Sequence, residues 1–255
     1  MRRGGIRLDP VFYYSIIPVG MQAGKPVPVQ KRNCEDDDMI KIAPSLLSAD
    51  FSDMRSGVRA CMENGADWIH CDVMDGFFVP NISFGSKMVA DIRRFTGEKA
   101  YLDVHLMIEK PERYLDRYAE AGASLITVHA EATEDLEGTI QKIHELGVQA
   151  GVSLNPATGE EAILPFLDRI DTVLCMTVIP GYGGQKLIGS VIPKIARLAE
   201  RKRERGYAFE LEVDGGVRPE NAAVLREAGA TVLVAGSAFF GAEDKQELLR
   251  SLRGE

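Results

Sequence analysis

The 255-residue chain is poor in the residues that mark many chemistries: four cysteines, four histidines and one tryptophan. The cysteines, at 34, 61, 71 and 175, form no CxxC pair. That argues against a disulfide scaffold and a thiolate zinc site, and a reduced cytoplasmic protein is the expectation. No stretch approaches the roughly 18 consecutive apolar residues of a membrane span. Positive charge is also scarce: 30 Lys and Arg face 38 Asp and Glu, a formal net charge of −8. Broad binding to nucleic acid or an anionic membrane needs a basic face, so neither is expected. A small anion remains possible, because a few backbone N–H groups can hold a phosphate locally.

Apolar residues make up 45% of the chain and glycines number 25. This suits a loop-rich α/β protein with a large core. From residue 40 onward, strand-like and helix-like segments alternate eight times. The strand candidates span residues 41–46, 68–73, 100–107, 125–129, 149–154, 172–177, 210–214 and 231–235. Amphipathic stretches at 51–64, 111–121, 135–146, 191–205 and 219–228 lie between them. Lys110-Pro-Glu112 and Arg218-Pro-Glu220 put proline and then an acid in a first helical turn. Gly65, Gly122, Gly147 and Gly229 each precede a small or β-branched residue and a strand, as helix stops do. The expectation is α/β class: a single (β/α)₈ TIM barrel over residues 39–255. A doubly wound open sheet is disfavoured by the count of eight and by the lack of a GxGxxG turn after the first strand.

Residues 1–38 fit no unit of this pattern. A short apolar patch from Val11 to Val19 contains Pro18, and Cys34 is followed by Glu-Asp-Asp-Asp38. A signal peptide is disfavoured by the brevity of the patch and the missing cleavage site, and a transit peptide by the acidic run. A disordered extension is expected, from an upstream start codon, with Met39 as the true start.

Three of the four histidines fall at or near C-terminal strand ends, where a barrel builds its active site: His70, His105 and His129. His144 sits in a helical stretch and is expected at the surface. Alternation places residues 70, 72 and 74 on one face, 103, 105 and 107 on another, and 210, 212 and 214 on a third. With the polar faces inward, His70, Asp72, His105 and Asp214 converge. Ile69, Cys71 and Val73 then pack outward, which makes Cys71 structural. Two imidazoles and two carboxylates suit one divalent ion such as Zn²⁺, Mn²⁺ or Fe²⁺. A single His or Asp at a strand end is ordinarily just a satisfied polar group. H-x-D on one strand joined by a His and an Asp on two others is better explained as a site. Asp103 and Glu212 would face inward one layer lower, as supports for a ligand or as paired core acids. Glycine-rich turns follow the last three strands: Pro180-Gly-Tyr-Gly-Gly-Gln185, Asp214-Gly-Gly-Val217 and Ala235-Gly-Ser237. Such turns let backbone N–H groups approach an oxyanion.

Five segments in order carry a family resemblance. They are Ala43-Pro-Ser-Leu-Leu-Ser-Ala-Asp50, Trp68-Ile-His-Cys-Asp-Val-Met-Asp-Gly76, Asp103-Val-His-Leu-Met107, Pro180-Gly-Tyr-Gly-Gly-Gln185 and Glu212-Val-Asp-Gly-Gly216. Over about residues 40–241 the chain resembles the ribulose-phosphate 3-epimerase family. The resemblance implies interconversion of D-ribulose 5-phosphate and D-xylulose 5-phosphate in the pentose phosphate pathway. It implies a metal held by His70, Asp72, His105 and Asp214, with Asp72 and Asp214 doubling as acid and base. Substrate contacts are implied at Ser45, His70, His105, Gly181, Tyr182, Gly183, Gly184, Gly215, Gly216, Gly236 and Ser237. Met74, Met107 and Met176 are implied as a cap over the reacting carbons; read without the resemblance they are ordinary core methionines. Dimers or hexamers are implied as well. One departure stands out: Phe77 replaces the histidine usual in the loop after the second strand, and a changed loop contact with unchanged chemistry is expected. A D-allulose 6-phosphate 3-epimerase is the nearest alternative, but its relatives tend to carry Gly-Phe-Ala-Gly and Asp-Gly-Ser where this chain has Gly-Tyr-Gly-Gly and Asp-Gly-Gly. A metal-free phosphate-binding barrel is the alternative from another class, and the complete ligand set argues against it.

Overall fold

The computed structural model describes residues 39–255, and the expected extension over residues 1–38 lies outside them. Eight parallel strands form one sheet: β1 (Lys41–Ala43), β2 (Trp68–Met74), β3 (Tyr101–Met107), β4 (Leu125–His129), β5 (Gln149–Leu154), β6 (Thr172–Met176), β7 (Glu210–Asp214) and β8 (Val232–Val234). From β2 to β8 each strand pairs with the next, and β8 pairs with β1. The last seam closes through Asp67 N–H to Ile42 C=O, His70 N–H to Pro44 C=O and a parallel bridge between Ser45 and His70. The result is a TIM barrel.

The outer helices are α1 (Met54–Glu63), α2 (Ser86–Thr96), α3 (Leu115–Glu120), α4 (Leu136–Glu145), α5 (Ile192–Arg205), α6 (Pro219–Glu227), α7 (Ser237–Gly241) and α8 (Lys245–Arg253). Sequence signals set their ends. Asp53 and Asp135 accept a backbone N–H in the first turns of α1 and α4, and Pro219 occupies the first turn of α6. Gly206 stops α5 in the left-handed conformation at φ +67°. One βα unit departs from the expected pattern. After β5 the chain makes only two 3-10 turns, Glu160–Ala162 and Leu164–Phe166, because Pro165 falls where a longer helix would need an N–H. The first strand is also shorter than expected. It ends at Ala43, and Leu46–Ser48 turns in a 3-10 helix that Ser45 caps.

Outward-facing Ile69, Cys71 and Val73 join the large apolar layer between barrel and helices, as alternation predicts. Burial pushes the Cys71 thiol up, far from a reactive thiolate. At the bottom of the barrel, Trp68 stacks on Tyr101 and Lys41 pairs with Glu210 at 2.7 Å. On the same lower rim Arg93 ties three segments together, reaching the carbonyls of Gly122 and Ala100 at 2.8 Å and the Ser124 hydroxyl at 2.9 Å. Barrel stability resides at this end, and the loops at the other end are left to the site.

Candidate active site

Strand register brings the chemistry together. His70 is level with Asp103, Asp72 with His105, Met74 with Met107, and Met176 with Asp214. His70, Asp72, His105 and Asp214 each offer a ligand atom, and these atoms all lie within 4.8 Å of one another. Asp72 Oδ1 lies 3.2 Å from His70 Nε2 and 3.1 Å from His105 Nδ1. Its other oxygen accepts a 2.5 Å hydrogen bond from the Ser45 hydroxyl, which anchors the carboxylate from β1's end. Two imidazole nitrogens crowding one carboxylate oxygen, with a second carboxylate beside them, is the donor geometry of ligands around a shared cation. The mixed N/O set fits a borderline divalent ion.

Asp103 and Glu212 lie beneath this cluster, fully buried. Asp103 hydrogen-bonds His70 Nδ1, which leaves Nε2 facing Asp72. Support for a ligand is therefore the role the geometry favours for Asp103. Burial and the nearby Asp103 charge push Glu212 well above the carboxylate range. Burial opposes protonation of His70, but the charges of Asp103 and Asp72 outweigh it and raise its pKa well above the imidazole range.

The two upper carboxylates are driven apart. Burial works against the Asp72 charge, yet His70 and His105 overcome it and hold Asp72 far below the usual range. Burial, aided by the charge of Asp72, pushes Asp214 up to about 7. One carboxylate is thus held ionised while the other keeps its proton into the neutral range, in a single site.

Both line a pocket at the C-terminal end of the barrel. Met74, Met107 and Met176 form part of its wall, along with Ser45 and the glycine-rich turns: Gly181, Tyr182, Gly183 and Gly184, then Gly215 and Gly216, then Gly236 and Ser237. His70 and His105 are placed differently. They are fully buried behind Asp72 and do not line the pocket. Ser48 does line it and was missed in the sequence. Its hydroxyl sits between two glycine turns: 2.7 Å from where a Cβ on Gly236 would stand, and 3.5 Å from one on Gly183. A lone serine in a turn carries no sequence signal of its own. The loop after β6 is laced to the loop after β2 by Tyr182 O–H to Pro80 C=O at 2.9 Å and Asn81 Nδ2–H to Gly181 C=O at 2.8 Å. Phe77, the departure noted above, projects outward at 83% exposure.

A family model described as the ribulose-phosphate 3-epimerase family matches residues 41–240. The chain belongs to the ribulose-phosphate 3-epimerase family. It is an enzyme of that class, an isomerase. It is similar to a ribulose-phosphate 3-epimerase of Bacillus subtilis, 50% identical over 217 residues, covering 85% of this chain and 99% of the relative. It is also similar to that of Escherichia coli, 41% identical over 214 residues, covering 84% of this chain and 95% of the relative. Among solved structures, KGPDC from Streptococcus mutans superposes with a TM-score of 0.63 at 12% identity, over 85% of this chain and 96% of that one. Tryptophan synthase from Mycobacterium tuberculosis does so with a TM-score of 0.63 at 15% identity, over 87% and 94%. At those identities the likeness is one of fold alone.

The epimerase turn after β7 depends on one glycine more than most. Gly216 has φ +67°, and a Cβ there would lie 2.5 Å from Leu187 N and 2.7 Å from Gln185 O. Both neighbours are backbone and cannot swing aside. Gly216→Ala is expected to cost about 2 kcal/mol or more, since left-handed strain and a backbone clash add. Urea denaturation checks this, with Gly241→Ala as a control because a Cβ there meets nothing within 4 Å. Equal stability of the two variants would remove the strain argument.

Proposed function

We propose that the enzyme interconverts D-ribulose 5-phosphate and D-xylulose 5-phosphate with one divalent metal ion. The observation that carries the reading is the pairing of Asp72 and Asp214, opposite in protonation preference, in one pocket wall. Inverting a carbon next to a ketone takes a proton from one face and returns one to the other. The ionised carboxylate accepts the C3 proton while the protonated one donates from the opposite side. Strands β2 and β7 are not adjacent in the barrel, so their carboxylates reach the substrate from different directions. His70, Asp72, His105 and Asp214 would hold the ion, which when bound supplies positive charge against the enediolate oxygens. Ser45 orients Asp72 through its 2.5 Å hydrogen bond. The methionine wall excludes water without offering a competing donor. The three glycine turns bring backbone N–H groups towards a phosphate group.

The pentose is favoured over allulose 6-phosphate by Gly181-Tyr-Gly-Gly184 and Asp214-Gly-Gly216, and by relatives that carry the ribulose-phosphate name. A coupled assay on both sugars, before and after chelation and with Zn²⁺, Mn²⁺ or Fe²⁺ restored, tests the whole reading. Ribulose 5-phosphate should be turned over preferentially, and chelation should remove activity that a divalent ion restores. Full activity in protein stripped of metal would overturn the metal requirement, and preference for the hexose would overturn the substrate.

A further inference from the structure

His129 ends β4, is fully buried, and belongs to neither the ligand set nor the pocket wall. Its ring packs against His105 with centroids 5.0 Å apart, and against Phe78 at 4.8 Å. His129 Nε2 lies 2.8 Å from His105 Nε2, and its Nδ1 lies 3.3 Å from Glu131 Oε2. The other Glu131 oxygen accepts from the backbone N–H of Asn155 at 2.8 Å and from the Thr158 hydroxyl at 2.5 Å. A continuous line of polar contacts therefore runs from the loop after β5, through Glu131 and His129, to His105 and Asp72.

We propose that Glu131 and His129 are positioning residues that set the tautomer of His105, leaving its Nδ1 lone pair aimed at the cation site. The direction follows from proton counting. A carboxylate has no hydrogen to give, so His129 must donate from Nδ1 to Glu131. With its ring proton on Nδ1, His129 presents a lone pair at Nε2. At 2.8 Å that lone pair requires an N–H on His105 Nε2. With its ring proton on Nε2, His105 turns the Nδ1 lone pair to the site, where a cation and not a proton would join it to Asp72 Oδ1, 3.1 Å away. Glu131 is suited to the end of the line. Burial opposes its charge, but hydrogen bonds from His129, Thr158 and Asn155 bring its pKa down to about 2. His70 has its own equivalent in Asp103, so each histidine of the cluster is oriented through the ring nitrogen that faces away from the site.

This inference rests on the metal reading above, and Glu131→Gln tests it without changing the side chain's shape. Asn155 N–H and the Thr158 hydroxyl need an acceptor, so the amide oxygen of the new residue takes their side. Its NH₂ then faces His129 Nδ1 and reverses every donor in the line, which puts the His105 proton on Nδ1 and blocks the lone pair. Zn²⁺ affinity, measured by chelator competition, should weaken by about 10–100-fold in Glu131→Gln, the usual effect of removing such a support. In ¹⁵N-histidine-labelled protein loaded with Zn²⁺, two-bond ¹H–¹⁵N spectra should show the parent's ring protons on His105 Nε2 and His129 Nδ1. A His129 proton on Nε2 in the parent overturns the proposal, as does a variant that binds Zn²⁺ within twofold of the parent. If the parent itself fails to bind Zn²⁺, Mn²⁺ or Fe²⁺, the metal reading falls instead. The parent spectrum still tests the hydrogen-bond line even if the variant does not fold.

Discussion

Asp214→Asn is expected to reduce kcat by about 10⁴-fold, because on the proposed mechanism one substitution removes a proton-transfer group and a carboxylate ligand together. The substitution is nearly isosteric and the pocket wall should survive. An asparagine can neither hold the proton that the raised pKa of Asp214 makes available at neutral pH nor take one up. Asp72 keeps its Ser45 anchor and its two imidazole neighbours. A single remaining carboxylate can serve only one face of the substrate. The outcome therefore differs from simple loss: inversion stops, and any residual exchange of the C3 proton with D₂O is confined to one epimer. Mass spectrometry of both sugar phosphates after incubation in D₂O, alongside the coupled assay, reads this directly. Turnover within tenfold of the parent, or residual exchange in both epimers, would show that Asp214 is not one of the two proton-transfer groups.

The second large effect is on stability. In protein dialysed free of metal, Asp214 is raised from the ordinary 3.8 to about 7, and Glu212 and His70 also hold their protons well above their usual ranges. The two acids make the folded state bind more protons than the unfolded chain as pH rises above about 4, and His70 does so above its ordinary 6.5, so stability falls with rising pH. For the two acids the loss begins above their unfolded values; for His70 the stabilisation present at low pH disappears as pH climbs through its raised value. Asp214 alone accounts for on the order of 3 kcal/mol between pH 5 and pH 8. For a domain of this size that corresponds to a Tm about 6 °C lower at pH 8 than near pH 5. Asp214→Asn should flatten the profile. Added Zn²⁺ should raise Tm most at high pH, where the ligands no longer need to shed protons to bind it. Calorimetry across this range, with and without metal, measures both effects. Stripped protein that is as stable at pH 8 as at pH 5 would remove the assignment of raised pKa values to this cluster.

Several elements could be read before any coordinates. The run Trp68-Ile-His-Cys-Asp-Val-Met74 alternates, and alternation alone puts His70, Asp72 and Met74 inward and Cys71 outward. The same local rule handled β3 and β7. The glycine turns were visible because glycine marks places where backbone must come close or turn left-handed, as at Gly216. The segment after β5 was harder. Its two 3-10 turns occupy a stretch short enough that a single proline changes the outcome. His129 was seen at a strand end but given no role, because its partners are Glu131, two residues on, and His105, a strand away.

What the chain's order of residues determined by itself is the set of strands and the face each side chain takes, because period-two alternation is a property of a single extended segment. Tertiary structure decided who meets whom. Barrel closure put Asp103 under His70, His129 against His105, and Ser45 on Asp72. Burial and charge inside that closed wall then drove the pKa values of Asp72 and Asp214 apart, since desolvation and charge proximity act through space and not along the chain.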